Sequence, residues 1–138
     1  MRNADQTVRV AAEWVIKAEN DFTTAVHTLR ITKRCPTDTI CFHAQQCVEK
    51  YLKALLVLHA IAFPKIHDLA QLTCLLPHAS RPPLSADDQD MLTQYATVTR
   101  YPGADNISLT EAKKTVRIAR QVRAHIRKAM PKDALCRQ

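Results

Sequence analysis

A chain of 138 residues is long enough for one domain with its own core, without disulfide or metal staples. Its single glycine argues against a turn-rich β fold, because tight hairpin turns draw on glycine for positive φ angles. Twenty Lys and Arg against thirteen Asp and Glu leave a net charge of +7, which favours an anionic partner such as RNA, a nucleotide or an acidic protein surface without choosing among them.

The first helix is predicted over about Asp5 to Thr32. Val8, Ala11, Ala12, Val15, Ala18, Phe22, Ala25 and Leu29 form its apolar seam, with Trp14 on the flank. Pro36 ends it, since proline biases the residue before it away from the helical region. The second helix covers about Asp38 to Ala60, with Cys41, Ala44, Val48, Tyr51, Leu55 and Leu58 at steps of three and four. A separate polar strip, His43, Gln46, Lys50 and Lys53, runs along the same helix. Phe63-Pro64 breaks the chain, and a short third helix follows from His67 to about Leu76. The proline-rich stretch "PHASRPPLS" leads to a fourth helix, which Ser85 caps and which runs to about Thr99. "RYPGADNI" is the next loop. Ser108 and Glu111 make an S-x-x-E capping box for a fifth helix ending near Met130, where Pro131 stops it. The architecture expected is all-α: an up-and-down bundle of four long helices and one short one, a single domain over 1–138 with its core at about 8–130.

Several chemistries lack their signatures. One glycine cannot build a phosphate-binding loop, and no nucleophilic Ser or Cys stands in a known local motif. Five cysteines at 35, 41, 47, 74 and 136 form no CxxC or CxxH pair, so Cys41 and Cys47 read as small core residues. His43 and Cys47 are one helical turn apart, but no second ligand pair accompanies them; no metal or cofactor is expected. The N-terminus has no secretory pattern and no apolar run reaches the length of a membrane span, which points to the cytoplasm.

Four features remain as candidate chemistry: the His43–Lys53 strip, "KIHDL" at 65–69, "RYPGAD" at 100–105, and Arg120 with His125. Each has a plain structural explanation beside the functional one. Lys50 and Lys53 suit a solvated face. Asp68 suits the positive end of the third helix, with His67 as a polar lid, and Arg100 suits the negative end of the fourth. Against that, an arginine beside a tyrosine at a loop mouth suits a phosphate and a stacked base.

"FHAQQCVEKYLKALLV", then "FPKIHDLAQL", then "RYP", resembles the HEPN family of small helical domains. "EWVIKAENDFTTAV", with Trp14, Ala18 and Asp21, is similar to that family's first helix. The resemblance runs from about Trp14 to about Arg127 and implies a bundle of about five helices that often dimerises. It also implies one of two roles: an RNA-cleaving toxin, or a binder of nucleotide or RNA beside a small nucleotidyltransferase partner. The family's RNases carry an Arg and a His separated by four to six residues. This sequence departs from that pattern, because Asp105, Asn106 and Ile107 stand where the His would follow Arg100. Arg120 and His125 match the spacing, but on the last helix.

The expectation is therefore a cytoplasmic homodimer that binds nucleotide or RNA through Lys50, Lys53, His67, Arg100 and Tyr101, within a toxin–antitoxin-like or nucleotidyltransferase-associated system. The first alternative is a metal-independent RNase, using Arg100 with His67 or Asp105, or using Arg120 with His125. The second is a non-catalytic adaptor whose partner-facing apolar surface is Phe42, Leu52 and Leu56.

Overall fold

A computed structural model describes residues 2–97, 101–104 and 106–135, and all its regular structure among them is helical. The elements are α1 (Ala4–Thr28), α2 (Thr37–Leu58), α3 (Leu69–Leu75), a 3-10 turn over His78–Ser80, α4 (Ala86–Tyr95), α5 (Leu109–Lys128) and α6 (Lys132–Leu135). Helices α1, α2 and α5 are long, as expected. The fourth ends at Tyr95, short of the expected end at about Thr99, which lies outside the described residues. Pro131 stops α5 but does not end the structure. One further turn, α6, tucks Ala134 against α1.

The helix boundaries follow local chemistry. Asn3 and Gln6 form a complete capping box at the start of α1, each side chain bonding the other's backbone N–H. Ser85 and Ser108 cap α4 and α5 by accepting from the N–H groups of Asp88 and Glu111. Asp68 accepts from Ala70 and Gln71 at the start of α3, so the capping reading of Asp68 holds. The close of α2 is less ordinary. Ala60 N–H bonds the Val57 carbonyl and Ile61 N–H reaches back to Leu56, the paired pattern in which glycine is the usual reversing residue. Ala60 occupies that left-handed position at φ +56°.

Helix α2 is the hub. It packs most extensively on α1, then on α5, with α3 and α4 against its remaining sides. Every residue from Tyr51 to Val57 is buried. This corrects the adaptor expectation: Leu52 and Leu56 are fully buried inside the bundle and offer no surface to a partner. Cys41 and Cys47 are core residues, packed with Val15, Phe22, Leu72, Leu92, Val116 and Ile126 in one continuous cluster.

Candidate functional site

The polar strip of α2 does not point freely into water. It meets two acidic residues, and each carboxylate is shared between a lysine and a histidine. Asp21 on α1 is buried; its Oδ1 lies 2.7 Å from His43 Nδ1 and its Oδ2 lies 2.6 Å from Lys50 Nζ. Glu49 on α2 repeats the arrangement one and a half turns further on. Its Oε1 lies 2.8 Å from His67 Nδ1 and its Oε2 lies 3.1 Å from Lys53 Nζ. Gln45 adds a third donor to Glu49 at 3.0 Å, and Gln46 bonds Gln45 in turn at 2.6 Å.

The environments of the two trios differ. Lys53 is only 7% exposed and lies over the faces of Trp14 and Phe63, with Nζ 5.5 and 5.8 Å from the ring centroids. His67, by contrast, keeps 58% of its side chain exposed while the Glu49 side chain beneath it keeps 4%. An ionised carboxylate only accepts, so Nδ1 of each imidazole carries a proton, and in the neutral form of the ring Nε2 is left as an acceptor. For His67 the result is an imidazole anchored from below by a buried acid, the orientation that suits a general base.

A third acidic centre joins three helices. Arg123 on α5 grips Glu19 on α1 in a bidentate pair at 2.6 Å for both bonds. Tyr51 donates to Glu19 at 2.7 Å, and Arg127 donates to Tyr51 at 3.2 Å. Burial alone would raise the Glu19 carboxyl. The hydrogen bonds from Arg123 and Tyr51, with the charges of Arg123 and Arg127, outweigh it and hold the group below its ordinary value. Burial, with the bond to Glu19, pushes the Tyr51 phenol well up.

The other sequence candidates divide by place. Arg100 and Asp105 lie outside the described residues. Tyr101 is 67% exposed and lines a cavity of about 520 Å³ with Thr37, Asp38 and Asn106, at the opening of α2. Thr37 Oγ1 ties that opening to the Ile107 carbonyl at 2.7 Å, and Gly103 makes the turn between at φ +94°. Asp38 and Lys53 are fifteen residues apart on α2, about 22 Å along the axis. The structure thus brings Lys50, Lys53 and His67 to one stretch of α2 and leaves Tyr101 near its other end. Arg120 and His125, five residues apart on α5, point about 140° apart around the helix and do not converge. The Arg120 guanidinium stacks on Phe22, 5.1 Å from its centroid, and the Arg123 guanidinium lies 4.9 Å from the same centroid.

Sequence reasoning named Asp21 only as part of the family resemblance and missed Glu49 and Glu19 as organisers of the site. Glu49 and Lys53 have the i, i+4 order that favours a helical ion pair, which was a readable signal. Asp21 stands beside Phe22 in an apolar seam, another signal. Glu19 gave none, because its main partner is 104 positions away.

The charge is unevenly placed. Helix α5 carries seven Lys or Arg against Glu111 alone, a net +6 of the chain's +7. Lys113, Arg117, Arg120 and Lys128 are all exposed and fall within about 80° of the helix circumference. The stripe is about 22 Å long. Among the described residues, no group of three or more His, Cys, Asp or Glu is placed to hold a metal ion, and no helix is long and apolar enough to cross a membrane.

Comparison with known proteins adds two findings. Residues 11–129 match the family model described as HEPN domain. The crystal structure of TT1696 from Thermus thermophilus superposes with a TM-score of 0.69 at 24% identity, covering 87% of this chain and 98% of that one, a likeness of fold. Among curated proteins no sequence matches.

Proposed function

Because the chain belongs to the HEPN domain family, we propose that it is a binding module for RNA or nucleotide phosphates, acting as a homodimer in a toxin–antitoxin-like or nucleotidyltransferase-associated system. The observation that carries this reading is the exposed stripe of four cations, Lys113, Arg117, Arg120 and Lys128, along one face of α5. Lys50 and Lys53 already neutralise Asp21 and Glu49, so they are weaker phosphate ligands than their sequence pattern suggested. On α5 the burdened cations are Lys114, whose Nζ lies 3.8 Å from Asp88, and Arg123 and Arg127, which pair with Glu19; Lys113, Arg117, Arg120 and Lys128 pair with no acid among the described residues. Fluorescence anisotropy with a labelled single-stranded RNA across a salt series tests the reading. Four phosphate contacts give a slope of about −3 in log K against log salt. The variant Lys113→Glu/Arg117→Glu/Lys128→Glu should bind at least about tenfold more weakly. Binding that ignores both salt and these substitutions refutes the reading.

A second reading is metal-independent RNA cleavage, favoured by one observation, the anchored and exposed imidazole of His67. Its Nε2 is oriented to take the 2′-hydroxyl proton of a bound RNA. Incubation with mixed RNA in EDTA tests it, with His67→Asn, Arg100→Ala and His125→Ala in parallel. Cleavage lost only in His67→Asn supports this base; cleavage unchanged in that variant excludes it.

A further inference from the structure

The aromatic pair that holds Lys53 has a second role. Trp14 and Phe63, packed edge to face with centroids 6.1 Å apart, hold the Lys53 ammonium and also wall a cavity of about 450 Å³. Val57 and Ile61 extend the apolar wall, and Arg2 stands on the lining. Arg2 also belongs to an adjoining depression along the first turns of α1, which it shares with Arg9. Among the described residues no acid lines the aromatic cavity itself, so Arg2 leaves its rim positive. Neither arginine forms a hydrogen bond or ion pair with a described residue. The volume falls in the range of small-molecule sites.

The geometry points to a binding site for a small aromatic anion, with a planar ring packed against Trp14 and Phe63 and an acidic group held by Arg2. The wall is preformed. Lys53 is fixed by Glu49, the rings are fixed on Lys53, and the Asn3–Gln6 capping box fixes the chain next to Arg2, so little ordering remains to oppose binding. An apolar ligand without charge would gain the ring contacts alone. An anion gains charge-assisted hydrogen bonds as well. The site is separate from the cationic stripe of α5 and does not depend on RNA binding there.

Trp14 is the only tryptophan in the chain, so its indole N–H resonance reports on this wall without ambiguity. The probe is 2-naphthalenesulfonate, with neutral 2-naphthol as control and AMP as a third ligand. The sulfonate should shift the Trp14 resonance saturably and bind about tenfold more tightly than naphthol. The surface variant Arg2→Ala should lose that tenfold, and the filled variant Thr7→Leu/Ala62→Leu should abolish saturation. The α5 charge-reversal variant should bind the sulfonate like the parent protein, which separates this site from the RNA reading. Binding of AMP with the same arginine dependence identifies the aromatic anion as a nucleotide; sulfonate binding without AMP binding identifies it as a non-nucleotide aromatic acid. No shift at millimolar sulfonate, or equal affinities for sulfonate and naphthol, overturns the proposal.

Discussion

Replacing Glu49 by Gln changes one atom and removes one charge from beneath His67 and Lys53. The carboxylate receives three donors on two oxygens: His67 and Gln45 on Oε1, Lys53 on Oε2. An amide has one acceptor oxygen, and its NH2 must then face a donor. Gln45 can turn its own amide and His67 can change tautomer, so the surviving oxygen is best used on Lys53. The ammonium still loses its counter-charge at 8% side-chain exposure. Removing one partner of a buried pair costs about 3–5 kcal/mol. The faces of Trp14 and Phe63 continue to stabilise the cation, which places the loss near the low end, at about 3 kcal/mol. For 138 residues the unfolding entropy is about 290 cal/mol/K, so the melting temperature should fall by about 10 °C. Urea unfolding of the parent, Glu49→Gln, Lys53→Met and the double variant measures this directly. The double variant should recover most of the loss, because it leaves no isolated charge. A Glu49→Gln protein within about 1 kcal/mol of the parent, or a double variant no better than the single, would refute a buried charge pair here.

Three further outcomes follow from the same geometry. The folded-state pKa of Glu19 is depressed, so its contribution is complete at neutral pH and is lost as pH falls below the ordinary value of 4.5 and through the folded one; Glu19→Gln should show a flatter stability profile in acid titrations followed by circular dichroism. Ala60→Gly should stabilise the protein by about 1 kcal/mol in urea unfolding, because glycine reaches the left-handed region at the end of α2 without a side-chain clash. Burial raises the Cys41 thiol to about 11 and the Cys47 thiol higher still, so both should resist alkylation at pH 8 until the chain unfolds, while exposed Cys74 reacts in the native state by peptide-mapped labelling.

The helices were largely legible because their signals are local. Ser108 before Glu111 and the three-and-four steps from Cys41 to Leu58 each act within a few residues, and those elements appear close to their expected place, whereas α1 ends at Thr28, short of Thr32, and Pro36 opens α2 instead of stopping α1. The end of α4 was less legible, since no proline or glycine stands at Tyr95 to mark it. The four-position strip on α2 was visible, but its meaning was not. Periodicity shows that Lys50 and Lys53 share a face; it does not show that Asp21, on another helix, and Glu49, on the same one, take up their charge. His67 sits in the loop before α3, and only the fold carries it back to Glu49, 18 positions earlier. Leu52 and Leu56 looked like a spare surface because a sequence pattern cannot count how many neighbours a helix has. Helix α2 has neighbours on nearly every side.

Two of the three acids, Asp21 and Glu19, also decide how α1 lies along α2. The α1 seam is rich in alanine at positions 11, 12, 18 and 25, and small side chains make shallow knobs that fit almost equally well after a slide of one turn. Shape alone would choose weakly between neighbouring alignments. A slide of about 5.4 Å would carry Asp21 away from His43 and Lys50, and in the same movement carry Glu19 away from Tyr51. Two acids would then sit inside the bundle without their partners, at a cost of about 3 kcal/mol or more each. In a hairpin whose apolar contacts tolerate several alignments, it is the charged side chains that allow one.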